Sequence, residues 1–308
     1  MTLRFVAITT AILGIVGCSA KDSSPAPASN GKTTREYAGT GQTKSFELTV
    51  TEFDWEVAPG AVYQAIGYNG EIPGPTLEVD AGDHVVIKLT NKATAPHSVH
   101  THVVRFPQGS DGVRNGVAKP GETVTIEWDA AFAGAFPYHD HAGMMGETEG
   151  VTAGLYGALV VHAPDETKAG QENVVLLSDF DLARYKELPG VGIGDAGPSE
   201  GGSYRGGHQY MHTINGRAYE EWSPHFQAKM GDLVRWHVIS IGQEFHTFHV
   251  HGHRWVTAEG VLTDNVNLGP GTYTSFEWTE DNPGDWLYHC HVPQHMEGGM
   301  MGLYSVTD

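Results

Sequence analysis

The chain has 308 residues, enough for two domains at roughly 100–150 residues each. Its formal net charge of −19 excludes the basic footprint that DNA or RNA binding requires, so no nucleic-acid partner is expected. Hydrophobic residues make up 40%, and forty glycines and sixteen prolines punctuate the chain, which together predict a packed all-β body of short strands and turns.

Residues 1–18 read as an export signal: Arg4, then an apolar stretch over 5–17 that is too short to span a bilayer. The stretch ends Ile15-Val16-Gly17-Cys18, which resembles the lipobox of bacterial lipoproteins. The resemblance implies that Cys18 becomes the lipid-bearing first residue of a protein anchored to a bacterial membrane, periplasmic or on the cell surface. The alternative is an ordinary secretory signal cleaved near Ala20. Residues 19–45, rich in Ser, Pro, Ala, Gly, Thr and Lys, are expected to be a flexible tether.

Strands are predicted over 46–50, 83–89 and 123–128, where apolar and polar residues alternate between Pro-Gly and Gly-Asp turns. Residues 179–188 are the best candidate for a short helix or turn, and the Gly-rich stretch 190–207 for a long surface loop. The chain also repeats itself. Tyr68-Asn69-Gly70, Val79-Asp80-Ala81-Gly82-Asp83 and His100-Thr101-His102 are echoed by Ile214-Asn215-Gly216, Ala228-Lys229-Met230-Gly231-Asp232 and His249-Val250-His251. Pro120-Gly121 and Tyr138-His139-Asp140-His141 are echoed by Pro270-Gly271 and Tyr288-His289-Cys290-His291. The expected architecture is therefore two copies of one β-sandwich, over 46–165 and 166–308.

Eighteen histidines equal the sum of Lys and Arg, and imidazole is the commonest metal-ligating side chain. The cysteines are Cys18 and Cys290, whose placement argues against a disulfide. Side chains on a strand alternate faces, so His289 and His291 share one face while Cys290 points to the other. By the same parity His249 and His251 oppose His246. If these strands pair, His246 meets Cys290 on one side and four imidazoles gather on the other. His246, Cys290 and His295 with Met300 as a weak axial ligand make the donor set of a blue copper site, because thiolate and thioether select copper. The all-imidazole side, joined by His100, His102, His139 and His141, has eight ligands, too many for one metal and suited to three coppers between the two domains. Asp140 replaces the cysteine in the first copy, which is expected to hold no blue site.

Together these motifs resemble the multicopper oxidases, and the two-copy layout is similar to that of bacterial two-domain (small) laccases. The resemblance covers most of 46–308 and implies two cupredoxin-like Greek-key sandwiches. It assigns His246, Cys290, His295 and Met300 to a type 1 copper. His100 and His249 fall to a type 2 copper, and His102, His139, His141, His251, His289 and His291 to a type 3 pair. Each functional unit would hold four coppers. It further implies a homotrimer sharing each cluster between neighbouring chains, electron uptake at the edge of His295, and one-electron oxidation of phenols or aromatic amines coupled to reduction of dioxygen to water. Asp111 and Asp264 match acidic positions that would supply protons. Two departures stand out: Val103 follows His102 where the family has glycine, and Phe106 occupies the spacing of a tyrosine near the type 2 copper.

Alternative functions within the fold are a metallo-oxidase of Cu(I), Fe(II) or Mn(II) and a copper nitrite reductase, the latter disfavoured because its blue site belongs in the first domain. A non-enzymatic electron-transfer lipoprotein would need the blue site but not eight more histidines. Outside the ligand set, His97 stands at the repeat position of His246 as a relic or supporting group. His84, His162, His208, His212, His225, His237 and His253 are expected on the surface or satisfied in the core. Met144, Met145 and Met301 are expected to be ordinary packing rather than a cuprous-ion path.

Overall fold

The computed structural model describes residues 35–37, 41–142, 150–187, 203–205 and 208–308. The signal segment, most of the tether, the Met144-Met145 pair and nearly all of the 190–207 stretch lie outside them. Among the described residues no helix is long and apolar enough to cross a membrane.

Two pairs of facing sheets form two sandwiches. In the first, one sheet runs in spatial order Tyr185–Glu187, Ala61–Tyr68, Thr43–Ala58, His84–Asn91 and Thr123–Asp129, and the other Leu77–Asp80, Tyr156–His162, Gly134–His139 and His100–Thr101. In the second, one sheet runs Ser203–Arg205, His208–Ile214, Gln171–Asp181, Leu233–Ser240 and Tyr273–Thr279, and the other Phe226–Lys229, Met301–Thr307, Gly284–Cys290, His246–Val250 and Asn265–Leu268. Parallel pairings recur at matching places: Thr43–Ala58 with His84–Asn91 and Gln171–Asp181 with Leu233–Ser240. This is the expected all-β, two-domain, cupredoxin-like architecture.

Alternation builds each core. In His84–Asn91, Val85, Ile87, Leu89 and Asn91 point inward, and the strand packs with Trp128, Tyr138 and Leu159. The second core centres on Trp236, Phe248, Tyr288 and Tyr304, with Trp255 stacked on Phe276 at 4.0 Å. Cys290 and Met300 belong to this core.

The 179–188 segment is mostly strand. Only Leu182–Arg184 forms a 3-10 turn, capped by the Asp181 carboxylate accepting from the Ala183 amide. Phe180 and Asp179 stay extended because they pair with Met211 and His212. Tyr185–Glu187 then pairs back onto the first sandwich.

A third apolar cluster joins the sandwiches, with Tyr63, Ile72 and Tyr156 from one side and Phe180, Met211 and Ile239 from the other. Tyr63 stacks on Phe180 at 4.6 Å, and Trp55 Nε1 donates to Gly216 O at 2.6 Å. Tyr63, Tyr156 and Phe180 are fully buried. At about 150–250 Å² each, their burial is worth about 10–20 kcal/mol in total as an upper bound. The two sandwiches are thus held as one body, which fixes where each presents its histidines.

Candidate metal centres

The strand His246–Val250 pairs antiparallel with Gly284–Cys290, with Phe248 opposite Cys290 and His249 opposite His289. Directly opposed residues share a face, so the parity argument holds. Cys290 and His246 turn into the core, while His249 and His289 turn out of it. The first sandwich repeats the register, with His100 opposite His139.

On the inner face, Cys290 Sγ lies 3.8 Å from His246 Nδ1 and 3.7 Å from His295 Nδ1, and the two nitrogens are 3.1 Å apart. An ion binding imidazole nitrogen at about 2.0–2.1 Å and thiolate at about 2.3 Å spaces three such donors by roughly 3.5–3.8 Å. Both sulfur–nitrogen edges fall in the range for one metal, and the nitrogen–nitrogen edge is a few tenths of an ångström shorter. Cys290 and Met300 are fully buried. The Met300 carbonyl accepts the Cys290 amide at 3.1 Å, which brings the methionine backbone beside the triangle. His295 is delivered by the short helix Pro293–Glu297, which opens with proline. Burial pushes the Cys290 thiol up, but His246 and the amides of Thr247 and Val292 outweigh it and hold the thiol below its ordinary value. This favours the thiolate that a metal needs.

Two residues outside the sequence-derived set complete this site. Asp179 Oδ1 accepts from His212 Nδ1 at 2.6 Å and lies 3.2 Å from His246 Nε2. The His212 ring stacks on His295 at 3.7 Å and 23°. His212 was expected as a surface or satisfied core residue. It is wholly buried, and its Nε2 has no partner. Only the pairing of Gln171–Asp181 with His208–Ile214 brings Asp179 opposite His212. Burial depresses the basicity of His246, yet Asp179 more than restores it, to about 10. Burial and the neighbouring imidazoles push His295 down to about 3. His295 is only 5% exposed beneath His212, so its edge is not open to solvent.

On the outer faces, two imidazole groups match each other. In the first, His102 Nε2 and His139 Nε2 face at 3.3 Å, and the His100 ring lies 5.3–5.6 Å from those of His102, His139 and His141. In the second, His251 Nε2 and His289 Nε2 face at 3.0 Å, and the His249 ring lies 5.1–5.4 Å from His251, His289 and His291. Backbone carbonyls fix the tautomers. His100 Nδ1 donates to Asp111 O at 2.7 Å and His249 Nδ1 to Asp264 O at 2.6 Å. His139 and His289 donate likewise to the carbonyls of Asp140 and Cys290. Each of these four therefore presents a bare Nε2, as metal ligation requires. Burial, with nearby imidazoles, lowers His139 to about 3 and also lowers His289 and His251, keeping them neutral. At Asp111 and Asp264 the contact that reaches a histidine is the main-chain carbonyl.

Among the described residues, no group of three or more ligand atoms within 4.8 Å of one another mixes imidazoles from the two sandwiches. Each sandwich presents its own group of imidazoles. Phe106 packs edge-on against His100, with ring centroids 5.7 Å apart. Val103 adopts φ +66, and Gly252, its counterpart after His251, φ +71. The turn after each His-X-His motif needs the left-handed region, which is why glycine suits it. A cavity of about 690 Å³ between the sandwiches, bordered by His162, Arg235, His253 and Trp255, includes none of the candidate ligands.

Known proteins resemble this chain. The chain is 31% identical over 279 residues to a probable nitrite reductase-hydroxylamine oxidoreductase fusion protein of Kuenenia stuttgartiensis, covering 85% of this chain and 31% of that one. It is 27% identical over 289 residues to the ferroxidase HEPHL1 of Mus musculus, covering 78% and 24%. The chain thus spans about a third or less of these relatives. The blue copper oxidase from Nitrosomonas europaea superposes with a TM-score of 0.71 at 27% identity, over 86% of both chains. Family profiles described as multicopper oxidase match residues 49–166 and 198–308, the two stretches that hold the paired half-sites and the thiolate triangle. With that ligand geometry repeated in both sandwiches, the chain belongs to the multicopper oxidase family, whose members imply copper as the metal.

Proposed function

We propose that this protein is a laccase-like oxidase that couples one-electron oxidation of small reducing substrates, such as phenols or aromatic amines, to reduction of dioxygen. The observation that carries the reading is the coexistence of a buried His246–Cys290–His295 triangle with two four-imidazole half-sites. An electron carrier needs only the first. In this reading His246, Cys290, His295 and Met300 hold a type 1 copper. His100 and His249 hold a type 2 copper, and His102, His139, His141, His251, His289 and His291 hold the type 3 pair. When bound, copper supplies one-electron oxidation of the donor at the thiolate and four-electron reduction of dioxygen to two waters at the imidazole cluster.

The chain's own residues join the two chemistries. Cys290 is flanked in sequence by His289 and His291, so the sulfur site connects to the cluster ligands through a few covalent bonds. The Asp111 and Asp264 carbonyls hold protons on His100 and His249 at Nδ1 and leave Nε2 bare. Any proton supply by the two carboxylates is part of the proposal. The joint core holds the two imidazole groups of one chain apart, and in this reading a second copy completes each cluster. A closed homotrimer, the first sandwich of one chain against the second of its neighbour, satisfies every half-site. Export and lipid attachment at Cys18 rest on residues 1–18 alone and complete the proposal.

A second reading, oxidation of Fe(II), Cu(I) or Mn(II), is favoured by the ferroxidase among the relatives and by the net charge of −19, which attracts cations. Oxygen uptake by the copper-loaded protein with a phenol, Fe(II), Cu(I) or nitrite as reaction partner separates the readings. Uptake with the phenol is expected. Uptake with metal ions alone selects the second reading, and no uptake with any donor ends both.

A further inference from the structure

We propose that Asp179 and His212 are positioning residues of the Cys290 centre: they clamp the imidazoles of His246 and His295, and the Asp179 charge lowers the reduction potential of the bound metal while His212 limits that lowering. The inference rests on the reading of His246, Cys290, His295 and Met300 as one copper site.

Asp179 is 1% exposed and lies directly opposite His212 in the sheet. Its Oδ2 accepts the amides of Gln243 at 2.7 Å and Glu244 at 2.9 Å, the residues that lead into His246. Its Oδ1 serves His212 Nδ1 at 2.6 Å and approaches His246 Nε2 at 3.2 Å. One carboxylate thus anchors the backbone before His246 and faces that ring on the side away from Cys290, leaving Nδ1 aimed at the sulfur. His212 then carries the constraint to the second ligand. Its ring lies flat on His295 and edge-on to His246, at 5.8 Å and 74°.

A purely structural role accounts poorly for these choices. An apolar side chain in place of His212 would fill the same space without stranding a buried Nε2. The donors from His212, Gln243 and Glu244 offset the burial of the Asp179 carboxylate and fix where its charge lies. Here that charge sits on the far side of a ligand ring, where it stabilises the more highly charged, oxidised metal. Low local dielectric strengthens the effect. His212 tempers it by donating to the same oxygen.

The two residues therefore act on the potential with opposite signs. In the copper-loaded full-length protein, Asp179→Asn should shift the Cu(II)/Cu(I) equilibrium at the thiolate site toward Cu(I) by tenfold or more. That is a rise of about 59 mV per tenfold for a one-electron couple. His212→Phe keeps a ring over His295 but removes the donor to Asp179, and should shift the equilibrium at least twofold the other way. Redox titration of the thiolate-to-copper absorption band reads both. An unchanged potential in Asp179→Asn, with the band intact, overturns the proposal. If Asp179→Asn does not fold, His212→Phe decides alone, and a shift that is absent or upward overturns it. A wild-type protein without the band would instead refute the copper-site reading beneath it.

Discussion

His97 Nδ1 donates to Asp140 Oδ2 at 2.7 Å, a buried pair that takes the place in the first sandwich that His246 and Cys290 take in the second. Asp140 Oδ1 also accepts the amide of Ser98 at 2.7 Å, so the carboxylate ties this pocket together with hydrogen bonds. Asp140→Ala should strand these donors and destabilise the metal-free protein by about 3 kcal/mol, measured by chemical denaturation. Asp140→Cys should give no thiolate-to-copper band. No histidine lies between His141 and His162 to stand in for His295.

Cys290→Ser should abolish the blue colour and remove one copper per chain, while the all-imidazole coppers stay bound. Donor oxidation should fall by more than the roughly 10–100-fold typical of losing an outer-shell contact. Metal analysis with electron paramagnetic resonance checks it. A variant that stays blue would show that the sulfur is not a ligand.

Val103→Gly should stabilise the protein. A β-branched residue at φ +66 carries about 1–2 kcal/mol of strain, and glycine gives back about 0.5–1 kcal/mol in unfolded-state entropy. The net gain is about 0.5–1 kcal/mol, or about 1–2 °C in Tm by calorimetry.

Glu280 accepts from His253 at 2.7 Å, Trp278 at 2.9 Å and Tyr304 at 2.5 Å. Burial pushes its carboxyl up, but these donors outweigh burial and hold it at about 2, below the usual 4.5. A depressed carboxyl contributes stability that is present above its unfolded value and lost as pH falls through the folded one. Glu280→Gln should therefore cost roughly 3 kcal/mol at pH 7 and flatten the fall in stability between about pH 4.5 and 2. Denaturation midpoints across that range test it, and parallel curves for the two proteins would count against the assignment.

A shared cluster predicts rescue between subunits. His141→Gln and His291→Gln chains should each be inactive. Co-assembled at equal ratio, they should regain about a quarter of the wild-type sites, since random assortment pairs an intact first sandwich with an intact second one that often. Absence of rescue in verified mixed oligomers would mean that each chain builds its cluster alone.

The sequence by itself determined the donor types, the faces they occupy and the internal repeat. Alternation along a strand is local, so His289, Cys290 and His291 reveal their division of labour without knowledge of any partner strand. It also pointed to Val103 as an anomaly, though not to the positive φ that explains it. Only the tertiary structure decided that the eight outer imidazoles lie in two separate groups in one chain, because the apolar cluster around Tyr63, Tyr156 and Phe180 packs the sandwiches against each other. It alone brought Asp179 and His212 to the thiolate site. Their juxtaposition depends on the register of two strands far apart in sequence, and an aspartate and a histidine on such strands look like any other buried polar pair until packing places them against His246 and His295.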